Sequence, residues 1–115
     1  MPTDCLFCRI VVGEVPATIV RDGERTLAFR DISPAAPTHV LVIPREHHPD
    51  VAALVAADPD LLVTVFSEAA AVARDEGVDT TGYRLVANTG RDGQQSVAHM
   101  HVHVLGGRSM GWPPG

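Results

Sequence analysis

His99, His101 and His103 alternate with Met100, Val102 and Val104 near the end of the chain. On an extended backbone, alternate side chains share a face. That spacing lines three imidazoles along one side and turns three apolar side chains to the other, which is the natural core face. Three chemistries suit such a histidine row. It can be a solvated polar stripe; strand-borne His-x-His can ligate zinc; or one imidazole can attack phosphorus while its neighbours fix its tautomer and stabilise charge. Spacing alone leaves these open. His39, in Thr38–Pro44 (THVLVIP), is in phase with Leu41 and Ile43 and out of phase with Val40 and Val42, which makes it a candidate partner of the row. A second constellation is Cys5-Leu6-Phe7-Cys8. A Cys-x-x-Cys pair can be redox-active, half of a zinc site, or two inert thiols. A thioredoxin-like pair would follow a strand in a βαβ setting, which this region lacks, and a closed zinc site needs four ligands.

The elements that must position these groups are legible from punctuation and period. Residues 5–12 carry Leu6, Phe7, Ile10 and Val11 in a short amphipathic helical pattern. Residues 18–21 and 26–30 are two strand-like runs, with Asp22-Gly23 as a hairpin turn between them. Ser33-Pro34 and Ala36-Pro37 mark a loop, and Pro44 ends the β-branched run that follows it. A short helix over 51–57 stops at Asp58-Pro59. The main helix is expected from an Asp60 N-cap to about Glu76, with Gly77 as its stop. Its stripe is Leu61, Leu62, Val65, Phe66, Ala69, Ala70 and Ala73. A strand over 83–87, a Gly-rich turn over 88–93 and a long strand over 96–105 complete the pattern. Strands outnumber helices and short turns join them, so the fold class is α+β: a mostly antiparallel sheet with a helix on one face.

Composition bounds what the chain does. Its 115 residues suit one domain spanning 1–115. Nine basic against 14 acidic residues, a net charge of -5, give no electrostatic grip on nucleic acid or an anionic membrane. All nine basic residues are Arg, so a P-loop lysine, a Schiff base and a lysine general base are excluded. Two cysteines make no secreted disulfide framework. Asp58, Asp60 and Glu68 interrupt the apolar stretches well short of the ~20 residues a membrane span requires. The start of the chain has no signal-peptide pattern, and the expected location is the cytoplasm.

Five segments together resemble a known family: 27–34 (LAFRDISP), 36–44 (APTHVLVIP), 82–88 (GYRLVAN), 95–107 (QSVAHMHVHVLGG) and 112–115 (WPPG). They are similar to the histidine triad proteins, and specifically to the nucleotide-binding branch that hydrolyses purine nucleoside phosphoramidates. The resemblance implies a five-stranded sheet with one long and one short N-terminal helix, and a homodimer whose sheets and main helices join. It implies that His101 attacks the α-phosphorus of an AMP or GMP conjugate, and that water hydrolyses the nucleotidyl-histidine to release the nucleotide. His103 would then hydrogen-bond the phosphoryl group or leaving atom, while His99 and His39 orient the nucleophile. Asp31 would accept the ribose hydroxyls, and Leu6, Phe7, Ile10, Val15, Phe29 and Ile32 would enclose the base. Asn88 and Ser96 would contact the phosphate and leaving group, with Ser96 assisting catalysis, Gln95 would bind the nucleotide, and Trp112 would reach toward the partner's site. Several microbial members pair such cysteines with two histidines, which implies a structural zinc on Cys5, Cys8, His47 and His99, with the adjacent His48 as a substitute ligand. The related dinucleoside polyphosphate hydrolases and a weakly hydrolytic nucleotide-binding module are the alternatives. One departure stands out: many members have glycine directly before Gln-Ser-Val, where this chain has Gln94.

Overall fold

The computed structural model describes residues 4–115. Strands β1 (Ile19–Asp22), β2 (Thr26–Arg30), β3 (Thr38–Pro44), β4 (Tyr83–Val86) and β5 (Val102–Gly106) form a sheet in the order β1-β2-β3-β5-β4. Every neighbouring pair is antiparallel. Helices α1 (Leu6–Val11), α2 (Val51–Ala57) and α3 (Pro59–Asp75) complete the α+β architecture expected from the sequence. No helix among the described residues is long and apolar enough to cross a membrane.

The sheet separates two apolar clusters. On one face Ala28, Val40, Val42, Val102 and Val104 pack with Met100 and with Leu61, Val65, Ala69 and Val72 of α3. On the other, Leu27, Phe29, Leu41 and Ile43 pack with Phe7 of α1. The central strand β3 is therefore buried along its whole length, although its residues alternate between the two clusters. That alternation sets the site: β3 residues in phase with Leu41 and Ile43 belong to the α1 side, and His39 is one of them.

Four local expectations are corrected. The cap of α3 is Asp58, not Asp60: its carboxylate accepts the Leu61 N–H at 3.1 Å, and Pro59 occupies the first turn, where its missing N–H is harmless. The same Asp58 ends α2, so one Asp-Pro pair stops one helix and starts the next. The apolar stripe of α3 also divides. Leu61, Val65, Ala69 and Ala73 are buried, whereas Phe66 and Val63 lie exposed on a second strip with Leu62 and Ala70. The β1–β2 turn does not centre on Asp22-Gly23: Asp22 pairs with Leu27 at the end of β1, and the Gly23 N–H reaches the Thr26 carbonyl at 3.0 Å, leaving Glu24 and Arg25 between them. Gly23 is needed there because a Cβ would meet Thr26 Oγ1 at 2.7 Å and Glu68 Oε2 at 2.8 Å. Finally, the long strand over 96–105 is shorter: β5 begins only at Val102, and β4 ends at Val86 rather than Ala87. Residues 96–101 leave the ladder because their polar groups bond elsewhere; the Met100 N–H, for one, goes to the His48 carbonyl at 2.7 Å.

Candidate functional site

The site forms where the arm before β5 crosses the α1 side of the sheet. Of the three alternating histidines only His103 lies in β5, opposite Leu41 of β3 and Val86 of β4. His101 and His103 still face the same side, their rings 5.1 Å apart. Phe7 stands edge-on to both His99 and His101, at 5.9 and 5.1 Å. Met100, Val102 and Val104 enter the opposite core as the alternation requires.

Hydrogen bonds fix which nitrogen of each ring carries the proton. His101 Nδ1 lies 2.7 Å from the carbonyl of His99. A carbonyl only accepts, so Nδ1–H donates and Nε2 keeps its lone pair. His99 Nε2 faces the Pro44 carbonyl at 2.8 Å, which puts the proton on Nε2 and leaves Nδ1 open. The Ala35 N–H donates to His39 Nδ1 at 3.0 Å, so His39 holds its proton on Nε2. That N–H donates to His103 Nδ1 at 2.9 Å, with Asp31 Oδ2 3.4 Å away. His103 thus accepts on Nδ1 and presents Nε2–H outward. Burial makes His103 a poor base: it pushes the ring down to about 4, with the neighbouring His101 and His39 adding to it. Burial also lowers His101, against the opposing bond to the His99 carbonyl. At neutral pH the row is therefore a set of neutral donors and acceptors of defined direction.

His99 turns its open Nδ1 to a different group. It lies 3.4 Å from Cys5 Sγ, 3.5 Å from Cys8 Sγ and 3.2 Å from His47 Nδ1, and Cys8 Sγ is 3.4 Å from the same His47 nitrogen. A tetrahedral zinc with ordinary bond lengths has S···N edges of about 3.5 Å and N···N edges of about 3.3 Å. The four donors match that figure, so Cys5, Cys8, His47 and His99 can hold a zinc ion. His48, the substitute ligand, turns instead toward Glu46. Burial, then the Cys5 thiol, pushes Cys8 up to about 11, so a cation is what would convert Cys8 to a thiolate. Because His99 faces these thiols, the three triad rings share no single ligand position.

Beside the imidazoles, a cavity of about 240 Å³ is lined by Leu6, Phe7, Ile10, Val15, Phe29 and Ile32, with Arg30, Asp31 and Ser96 as its polar members. This brings together all six predicted apolar residues and two of the predicted polar ones, although Ile32 is 97% exposed at the rim. An apolar slot with few polar anchors suits a flat heterocycle. Phe7 and Leu41 are its shared wall with the histidines.

The remaining predicted residues lie outside this cavity. Asn88 stands two residues past Val86, the β4 residue that pairs with His103. Gln95 is a brace: its side chain donates to the Pro49 and Val97 carbonyls at 2.7 and 2.9 Å and accepts the Gly90 N–H at 3.1 Å. Trp112 is 84% exposed, in a tail attached to β4 through the Arg84 bond to the Gly111 carbonyl at 2.8 Å. Gln94, where glycine is usual, has φ +58, the one non-glycine residue with positive φ among the described residues. Sequence reasoning did not locate the backbone groups that hold the rings: the carbonyls of His99 and Pro44 and the N–H of Ala35. No residue type encodes these; only a register places them.

Comparisons with known proteins agree with this geometry. The family model described as HIT domain matches residues 12–110. A maize protein named 14 kDa zinc-binding protein is 46% identical over 113 residues, covering 96% of this chain and 87% of its own. The crystal structure of a HIT family hydrolase from Legionella pneumophila superposes with a TM-score of 0.93 at 48% identity, covering 97% of this chain and 100% of that one. A histidine triad nucleotide-binding protein from Candida albicans superposes with a TM-score of 0.83 at 30% identity, covering 96% and 83%. Matched across most of its length by one family model and nearly end to end by these relatives, the chain belongs to the HIT domain family.

Proposed function

We propose that this chain, as one histidine triad domain over residues 1–115, hydrolyses purine nucleoside 5′-phosphoramidates or related nucleotidyl conjugates. One observation carries the reading: the 2.7 Å bond from His101 Nδ1–H to the His99 carbonyl holds an Nε2 lone pair in a neutral, oriented imidazole beside an apolar slot. Nε2 attacks the α-phosphorus as the bond to the leaving amine breaks. His103 Nε2–H donates to the phosphoryl oxygen or leaving atom, and water then cleaves the phosphorus–nitrogen bond to His101, releasing the nucleotide. Asp31 accepts from the ribose hydroxyls, and Asn88 and Ser96 contact the phosphoryl group. A zinc on Cys5, Cys8, His47 and His99 would supply a structural clamp on His99, and a reducing compartment such as the cytoplasm keeps those thiols competent.

The test is AMP release from adenosine 5′-phosphoramidate by the wild type and by His101→Ala, with circular dichroism to check the variant's fold. Turnover abolished by the substitution supports the reading. A wild type that cleaves only dinucleoside polyphosphates, or binds AMP without turnover, overturns it in favour of the two alternatives.

The same reading includes a homodimer. β4 is an edge strand, and the outer strip of α3 leaves Val63 and Phe66 exposed, 65% and 36% respectively. Joining these surfaces carries the tail with Trp112 to the partner's site, where it would set leaving-group selectivity. Phe66→Glu should convert a dimer to a monomer in sedimentation velocity, and a wild-type monomer refutes the assembly.

A further inference from the structure

The tautomer of His103 is fixed at the end of a chain of bonds that begins outside the triad, at Arg108. Its Nε–H donates to the Ala35 carbonyl at 3.1 Å, and its Nη1 to the Ser109 carbonyl at 3.0 Å. Ala35 sits in the loop joining β2 to β3, and its own N–H is the group that holds His39 Nδ1 at 3.0 Å. The loop is fastened at its start by the Asp31 N–H to the His39 carbonyl, 3.0 Å, and by the Ser33 N–H to Asp31 Oδ1, 2.8 Å. At its middle Ala35 is held from both sides, its N–H by His39 and its carbonyl by Arg108. Gly107 is what lets Arg108 reach it. Its φ is +89, and a Cβ there would meet Pro37 Cβ at 2.9 Å, so the end of β5 lies directly against the loop.

We propose that Arg108 is a positioning residue: by holding the Ala35 carbonyl it fixes the backbone at residue 35, keeps the Ala35 N–H of the preceding peptide on His39 Nδ1, and so keeps the donor proton of His103 on the nitrogen facing the reacting phosphoryl group. The relay is directional at every link. A guanidinium only donates, so the Ala35 carbonyl accepts; the Ala35 N–H only donates, so His39 Nδ1 accepts; His39 Nε2–H must then donate, so His103 Nδ1 accepts. Without the Ala35 N–H, His39 is free to place its proton on Nδ1 and accept from His103 at Nε2. That reverses the relay and removes the outward donor. The proposal rests on the hydrolytic reading above for its effect on rate, but not for its effect on tautomer.

Two measurements separate those parts. Long-range ¹H–¹⁵N correlation spectra of the histidines, in protein without nucleotide, report the tautomer of His39 and His103 directly. The wild type should show both as Nε2–H. Arg108→Ala should mix the Nδ1–H form into both, Arg108→Lys, which keeps a donor, should restore the wild-type pattern, and Ala35→Pro, which deletes the N–H itself, should shift it furthest. With adenosine 5′-phosphoramidate, Arg108→Ala should lower kcat about three- to tenfold at unchanged KM, a fraction of the ~10²–10⁴ that a positioned acid contributes. Again Lys should restore it. Unchanged tautomers in Arg108→Ala overturn the proposal, as does a kcat loss that Lys fails to restore. If the wild type turns over no phosphoramidate, the hydrolytic reading falls while the spectra still decide the relay. Should either variant fail to fold, the Arg108→Lys spectrum against wild type decides it, a mixed pattern there being contrary.

Discussion

Lowering the pH should destabilise the protein through His103 in particular, and the size of the effect can be worked out. An unfolded chain titrates this ring near 6.5, whereas burial beside His101 and His39 holds it down to about 4 in the fold. Between those values the unfolded chain binds a proton that the folded chain does not, so stability falls as pH falls from 6.5 toward 4 and levels off below that. Above pH 6.5 both states are neutral and the group contributes nothing to pH dependence. The whole shift corresponds to a ceiling of about 3 kcal/mol, and solvent screening of this half-buried ring reduces that to about 1–2 kcal/mol. The assay is urea unfolding of the wild type and His103→Asn at pH 7.5, 5.5 and 4.5. Asn keeps an acceptor for His39 Nε2–H but does not titrate. His99 and His101 titrate in both proteins, so the difference between them isolates residue 103. The wild type should lose about 1 M more in its urea midpoint than the variant between pH 7.5 and 4.5. Parallel losses would refute the claim that the fold holds this ring neutral.

Gln94→Gly should raise stability by about 0.5 kcal/mol, since a side chain at φ +58 is strained and glycine's greater unfolded-state entropy returns only part of the gain; a lower melting temperature than wild type would count against that account of the turn. Cys5→Ser keeps an oxygen to cap α1 but removes a soft ligand, so it should lose zinc and melt lower, and chelation of the wild type should produce the same drop. Full zinc occupancy in the variant, measured by atomic absorption, would remove Cys5 from the ligand set.

The architecture was largely readable because each element carries its own local signal. Val40 and Val42 alternate with Leu41 and Ile43, and a strand with helices on both faces needs that double row of apolar residues. Asp58-Pro59 is a punctuation mark whichever helix it is assigned to; the error of two residues in the α3 cap came from reading it as a stop alone. Phe66 misled for a physical reason. Helical spacing shows that a residue shares a stripe with Leu62 and Ala69, but not whether the stripe is wider than the sheet it covers.

The site was legible by residue type and illegible by direction. Three alternating histidines suggest one continuous strand with three equivalent rings, yet the rings do three different things. His99 offers its ring to two thiols and its carbonyl to His101, so a metal on that ring would also immobilise the peptide that sets the tautomer of His101. His101 keeps a lone pair and His103 keeps a donor, and in each case the deciding partner is a backbone group, or a side chain held by one. Main-chain groups are the same at every position, so no composition or motif announces them. What announces them is register: residues 96–101 leave the ladder just where their carbonyls and amides are needed by side chains, and Thr38 pairs with Gly106 so that Gly107 and Arg108 meet the loop carrying Ala35. A substitution that shifts register there, even one touching no histidine, should therefore alter the direction of protons in the row before it alters the fold.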